Sequence, residues 1–271
     1  MNSEVKINMV RNLMSAGFRA AKSTAVAVTL LVAQSAHAGL IETVEAPGVQ
    51  TTTAANTTTI DFNQLPTGYS SSLTVNVTST LTATYSGNFS INAPGQYGGA
   101  VDPSTGKDTN YFAVTSGDVT MTLSNAQAYF GLWISAADKF NQIAFYNGST
   151  EVAALTGTGA FLSALPSTYN GNPTADFKGQ DSSEKFVFVN FYAQTAQDEF
   201  NKIVLTNTPG SGTIFESDNH TFSTTLQAPT SGGTNLQAPS SVPEPSSFAL
   251  LGLGGLGMAI RSLRRCRHEA M

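Results

Sequence analysis

Between Ser246 and Ile260 the chain carries neither a charge nor a proline, and Arg261, Arg264, Arg265 and Arg267 follow at once. A helix over that run would rise roughly 22 Å at about 1.5 Å per residue, a little short of a ~30 Å hydrocarbon layer. Leu263 and the aliphatic stem of Arg261 extend it. Gly252, Gly254, Gly255 and Gly257 would weaken such a helix in water, but lipid forces backbone hydrogen bonds to close within the segment. A helix with no polar face does not suit a domain surface. The run therefore predicts a transmembrane helix with its arginines on the cytoplasmic side, and any folded domain has to be built upstream of it.

The other end is also set apart. Arg11, Arg19 and Lys22 precede the apolar run Ala25 to Ala33, and Ala36-His37-Ala38 offers the small-x-small pattern of a signal-peptidase site. Residues 1–38 are read as a signal peptide cut after Ala38, with Met9 or Met14 as alternative starts. Residues 224–241 repeat themselves, Leu226-Gln227-Ala228-Pro229-Thr230-Ser231 returning as Leu236-Gln237-Ala238-Pro239-Ser240-Ser241. That composition predicts an extended linker. The order is signal peptide 1–38, exported domain 39–223, linker 224–241 and tail 242–271.

Between the two ends the charge is lopsided. Residues 39–242 hold fifteen Asp and Glu against five Lys and no Arg, a net charge of −10. Such a surface repels nucleic acid and anionic membrane, and suits cations or neutral sugars. The only cysteine is Cys266, so the domain has no disulfide and must hold by its core.

Short runs rich in Val, Thr, Phe and Tyr alternate with Gly, Asn and Asp turns, which predicts an all-β domain. Strands are expected at Ser72–Val77, Thr80–Ser86, Tyr111–Thr115, Asp118–Leu123 and Ala128–Ile134. Others follow at Gln142–Tyr146, Glu151–Thr156, Lys185–Tyr192, Lys202–Thr206 and Thr213–Glu216. Leu81, Ala83 and Tyr85 alternate with Thr80, Thr82 and Thr84, giving one apolar and one wet face. Phe186 to Phe191 is apolar on both faces and reads as a central strand. Asn147-Gly148 predicts a hairpin with a type I′ turn. Ten short strands fit a two-sheet β-sandwich of jelly-roll type.

Val242-Pro243-Glu244-Pro245, then Phe248 to Ile260, then Arg261 to Arg267, resembles the PEP-CTERM sorting signal of Gram-negative bacteria, which is read by the membrane peptidase exosortase. The resemblance implies transient anchoring in the inner membrane, cleavage near the motif, and release to the cell surface or extracellular polysaccharide. The domain, through Tyr129 to Trp133, Phe145 to Gly148 and Phe215 to His220, is similar to a recurrent surface-protein domain of such chains. That likeness implies a sandwich in the style of carbohydrate-binding modules and supplies no catalytic residues.

Candidate chemistry is sparse. His37 and His268 lie in the end segments, so the domain keeps only His220, which excludes a zinc site with several His or Cys ligands. A Ser-His-Asp triad could use only His220 with its sequence neighbours Ser217 and Asp218. Carboxylate pairs for glycoside hydrolysis would come from Asp198/Glu199, Asp181/Glu184 or Glu216/Asp218. Calcium is the one cofactor expectation: first and last strands side by side would bring Asp61 and Asn63 near Glu216 and Asp218, with Asp102, Asp108 and Asn110 as a weaker cluster. Sugar binding needs exposed rings, and Trp133, Tyr129, Tyr97 and Tyr111 are the candidates, Tyr169 beside them. Phe130, Leu132 and Ile134 are expected on the core face of the Trp133 strand. The reading is a non-enzymatic surface or matrix protein associated with exopolysaccharide. A self-associating matrix protein without ligand, and a carbohydrate-active enzyme, are the alternatives.

Overall fold

A computed structural model describes residues 39–155, 163–227 and, for their backbone, 234–235. The signal peptide with Ala36 and Ala38, most of the linker, and the tail with Val242 to Pro245 and its arginines lie outside the described residues. Among the described residues no helix is long and apolar enough to cross a membrane.

The described residues form twelve strands: β1 (Leu40–Val44), β2 (Thr58–Ile60), β3 (Gly68–Asn76), β4 (Thr82–Asn92), β5 (Tyr111–Gln127), β6 (Tyr129–Ala137), β7 (Asn141–Asn147), β8 (Thr150–Leu155), β9 (Lys185–Ala193), β10 (Phe200–Asn207), β11 (Phe215–Ser223) and β12 (Thr234–Asn235). All-β is thus correct. The expected division into two sheets of jelly-roll type is not what the hydrogen bonds draw. The strands form one nearly closed network in the order β12-β1-β9-β6-β11-β5-β10-β7-β8, with β2 added to β11 and the β3-β4 pair added to β5.

The branch lies in β5, which merges two of the expected strands into seventeen residues. One edge of β5 follows β4 from Asn92 to Ala83, while the other meets β11 near Val114 and β10 from Gly117 onward. A register shift in β4 at Gly87 accompanies the bend, where the β4 backbone runs close to the carbonyl of Asp118. Bulges of this kind turn one continuous ladder through a corner.

The core lies inside the network, built from Phe62, Tyr85, Phe112, Phe130, Phe145, Phe200 and their aliphatic neighbours. As expected, Phe130, Leu132 and Ile134 face it, and β9 is central, paired to β1 and β6 and buried from Phe186 to Ala193. The reverse face of β6 is buried too, because the segments after β1, β4 and β8 fold over it. Ala100 joins Trp133, Ala136, Phe186 and Phe188 there, and Tyr169 donates to the Glu45 carbonyl at 2.7 Å. Gly131 sits on this crowded face: an added Cβ would meet the Tyr129 hydroxyl and stand 2.7 Å from the Phe188 ring. Gly131→Ala is expected to cost about 1–3 kcal/mol by overpacking, read as a lower midpoint in urea; an unchanged midpoint would show that this face can relax.

Two further expectations change. The β7–β8 loop is Gly148-Ser149, with positive φ at Gly148 (60°) and not at Ser149, so it follows the II′ pattern rather than I′. Within the stretch read as a linker, Thr234–Asn235 pairs along β1 at Val44 and Thr43, so that part is docked rather than extended.

Candidate functional site

The aromatic candidates are mostly inside. Trp133 and Tyr129 are fully buried and Tyr111 is 8% exposed, so none presents a ring for stacking; of the four only Tyr97 does, at 46%. The expectation of an open Trp133/Tyr129 face is corrected by the covering loops. Tyr129 donates to Asn190 Oδ1 at 2.6 Å, and Asn190 in turn donates to Glu45 Oε1, which also accepts from the Thr53 amide. This network ties the segment after β1 to the outside of β9. Tyr169 is buried as well.

His220 belongs to the core rather than to a catalytic triad. Asn219 takes a left-handed φ of 51° where the β11 register slips, and the bulge turns His220 inward onto the same side as Ser217. Its Nε2 lies 2.9 Å from Ser217 Oγ and its Nδ1 3.0 Å from Tyr85 Oη, all fully buried. Phe62, Phe112 and Phe130 surround the ring, which burial holds neutral by lowering its pKa from 6.5 to about 3. Asp218 points the other way, and no substrate reaches this triplet.

The expected calcium ligands do not converge. The strands that carry them do lie together, β2 beside β11 with Ile60 opposite His220. However, Asp218 Oδ2 accepts from the Ala100 amide (2.8 Å) and Thr109 hydroxyl (2.7 Å), and Oδ1 from the Asn219 amide (2.7 Å). Asp61 is spent in a surface turn on the Asn63 amide, and Asn63 Oδ1 accepts from the Asn110 amide. Among the described residues no three Asp, Glu, His or Cys side chains group as metal ligands. Asp102 closes its own turn with Ser104, apart from Asp108.

Glu216 instead joins a different set of acids, which local sequence could not bring together. It stands opposite Ser135 on β6, on the outer side with Trp133. Burial, then the charges of Glu184, Asp138 and Asp181, push its carboxyl from 4.5 up to about 9. Glu184 and Asp181 are raised as well, chiefly by burial. Nearby Lys185 is turned away, donating to the Leu165 and Pro166 carbonyls. Among the described residues Trp133 Nε1 and Ser135 Oγ have no hydrogen-bond partner. Of the suspected carboxylate pairs, Glu216 thus feels the charges of Asp181 and Glu184, while Asp198 caps a 3-10 turn at Thr195.

The most regular exposed feature is a hydroxyl field on the outer face of β3, β4 and β5. Opposed residues of an antiparallel pair share a face, about 4.8 Å apart across strands. Thr74 stands opposite Thr84 and Thr84 opposite Thr122; Ser72 opposite Ser86 and Ser86 opposite Thr120. Asn76 faces Thr82, whose amide donates to Ser124 Oγ at 3.0 Å. The three-by-three field is exposed or half-buried, while Leu73, Val75, Ala83, Tyr85, Met121 and Leu123 turn inward. Its middle row runs on to Lys202, whose ammonium lies 4.2 Å from the Tyr146 ring centre. The alternation along the chain shows the wet face of β4 but not the field, because register between strands is a tertiary fact.

What places this domain in the cell is the tail. Val242-Pro243-Glu244-Pro245, the uncharged run and Arg261, Arg264 and Arg265 fall within a stretch, residues 241–265, that matches a family model. Residues 241–265 are a PEP-CTERM protein-sorting motif. The motif marks the chain for export, for processing by exosortase and for the cell surface. It covers the tail only, so the PEP-CTERM match says where the β domain goes and leaves what it does to the domain's own surface. No curated protein and no solved structure matches the chain.

Proposed function

We propose that the β domain is the extracellular part of a surface-sorted matrix protein and that it associates with neutral polysaccharide through the hydroxyl field of β3, β4 and β5. The carrying observation is that field: rows of eight Ser and Thr with Asn76, at strand spacing, exposed or half-buried, with no charged side chain among the nine residues. Each hydroxyl both donates and accepts, which suits the hydroxyls of a sugar chain, and many weak contacts along a repeating polymer add through multivalency. The domain's net charge of −10 disfavours a polyanion and nucleic acid. Signal peptidase at Ala38, a transient stay in the inner membrane and release into the matrix of a Gram-negative cell complete this reading. It is a binding role, not catalysis.

The test replaces hydroxyls with methyls of nearly equal shape. Thr74→Val, Thr84→Val and Thr122→Val together are expected to reduce retention on neutral exopolysaccharide at least tenfold while leaving the urea midpoint nearly unchanged. Failure of the wild-type protein to be retained on any neutral polysaccharide would overturn the reading.

The carbohydrate-active alternative draws on one observation, the raised Glu216 beside Glu184 and Asp181, since glycoside hydrolysis uses one protonated and one ionised carboxyl. Activity abolished in both Glu216→Gln and Glu184→Gln would favour it over binding.

A further inference from the structure

Among the described residues β3 is paired on one side only, to β4, and its sequence Gly-Tyr-Ser-Ser-Ser-Leu-Thr-Val-Asn has neither a charge nor a proline. Exposed edges are normally blunted by such residues, since they template pairing with another chain. Here one blunting device exists: the bulge between Ser70 and Ser72 lets Ser70 Oγ donate to the Ser72 carbonyl (2.8 Å) and accept from its amide (3.3 Å). Beyond Ser72 no described residue pairs with the edge.

Hydrogen-bond alternation tells which groups it presents. The Val77 amide donates to the Leu81 carbonyl, so Val77, and by the two-residue period Val75 and Leu73, direct their backbone groups to β4. Consistently, the Thr82 amide points away from β3 to Ser124, and the Thr74 and Thr84 hydroxyls lie 3.1 Å apart, as in a non-hydrogen-bonded pair. The amides and carbonyls of Thr74 and Asn76 therefore face outward.

We propose that a second copy of this chain pairs antiparallel along β3, about a two-fold axis through Val75. Thr74 of each copy then exchanges both backbone bonds with Asn76 of the other, and the two Val75 residues meet as a non-hydrogen-bonded pair. The register is self-complementary, as an isologous contact requires. It also apposes the half-buried Leu73, Val75 and Val77 to their counterparts on the core side, continuing each copy's apolar layer. An axis normal to the sheet keeps faces together, so the hydroxyl rows of the two copies run on into each other across six strands. The contact is small, so the dimer forms reversibly and with rising concentration, a condition that tethering at a cell surface supplies. The pairing does not depend on polysaccharide association, and its test contains no sugar.

The test is register-specific cross-linking of the full chain in detergent, with Cys266→Ser removing the only native thiol. Cα atoms of a non-hydrogen-bonded pair stand about 4.5 Å apart, within disulfide reach. Val75→Cys is expected to give a disulfide-linked dimer on mild oxidation, Leu73→Cys alone to give none, and a mixture of Leu73→Cys with Val77→Cys to cross-link again. In parallel, Thr74→Pro removes an outward amide without touching the β3–β4 ladder, and is expected to hold the sedimentation mass at one chain at concentrations where the wild type approaches two. Equal cross-linking of Val75→Cys and Leu73→Cys, or a wild type that stays single at every concentration, would overturn the proposal.

Discussion

Replacing His220 with alanine is expected to cost roughly 4–6 kcal/mol. Two terms add. Removing the ring opens a cavity among Phe62, Tyr85, Phe112 and Phe130, rings that lie 4.9–5.9 Å from it. It also strands two hydrogen-bonding groups, Ser217 Oγ and Tyr85 Oη, in fully buried positions, at about 1–3 kcal/mol each. Domains of this size hold together by roughly 5–15 kcal/mol, so His220→Ala should be partly unfolded at 37 °C. Because that variant is near the limit of folding, Ser217→Ala and Tyr85→Phe serve as the graded test, each removing one partner while His220 stays. Urea unfolding should place both at about 1–2 kcal/mol below wild type. A His220→Ala protein within 1 kcal/mol of wild type would mean that the triplet is not a structural keystone.

Stability of the wild-type domain should fall as pH rises from about 4.5 toward 9. Burial raises the Glu216 carboxyl from 4.5 to about 9, Asp218 from 3.8 to about 7, and Glu42 from 4.5 to about 7. The folded state therefore keeps protons that the unfolded chain has already released. The stabilisation is full below the unfolded values and is lost as the pH climbs through the folded ones. His220 acts in the opposite sense: lowered from 6.5 to about 3, it contributes above 6.5 and loses that contribution as the pH falls toward 3. The two limbs set an optimum near pH 4–5. Glu216→Gln keeps the shape of the neutral carboxyl and cannot ionise, so at pH 8–9 it should stabilise by several kcal/mol, on a scale of about 1.4 kcal/mol per pKa unit. At pH 4 it should change nothing. Melting curves across pH 4–9 that run parallel for wild type and Glu216→Gln would refute this account of the acid cluster.

The parts read correctly from sequence are those governed by neighbours in the chain. Alternation in Leu81-Thr82-Ala83-Thr84-Tyr85 declared a strand with one wet face, the run Phe186 to Phe191 declared a central strand, and glycine at 148 declared a hairpin. The sorting motif was legible for the same reason, since exosortase reads a linear address. Candidate site residues were less legible. Asp61, Asn63, Glu216 and Asp218 looked like one calcium nest because β2 and β11 are adjacent, and adjacency is real. The β-strand period gives side-chain direction only until a bulge resets it, and Asn219 does so between Asp218 and His220. Trp133 looked exposed because one face of a strand usually is, whereas here loops from three places in the chain cover the second face.

Consecutive residues alone thus establish an arginine-free, cysteine-free β domain between two end segments, addressed to the cell surface. The fold in three dimensions sets which carboxyls are desolvated, which aromatics are lost to the core, and that β3 pairs on one side only among the described residues. Propensity and sorting act over a few consecutive residues. Strand register, loop coverage and the desolvation of a carboxyl depend on segments such as 95–110, 165–184 and 215–220 meeting across more than a hundred residues of chain.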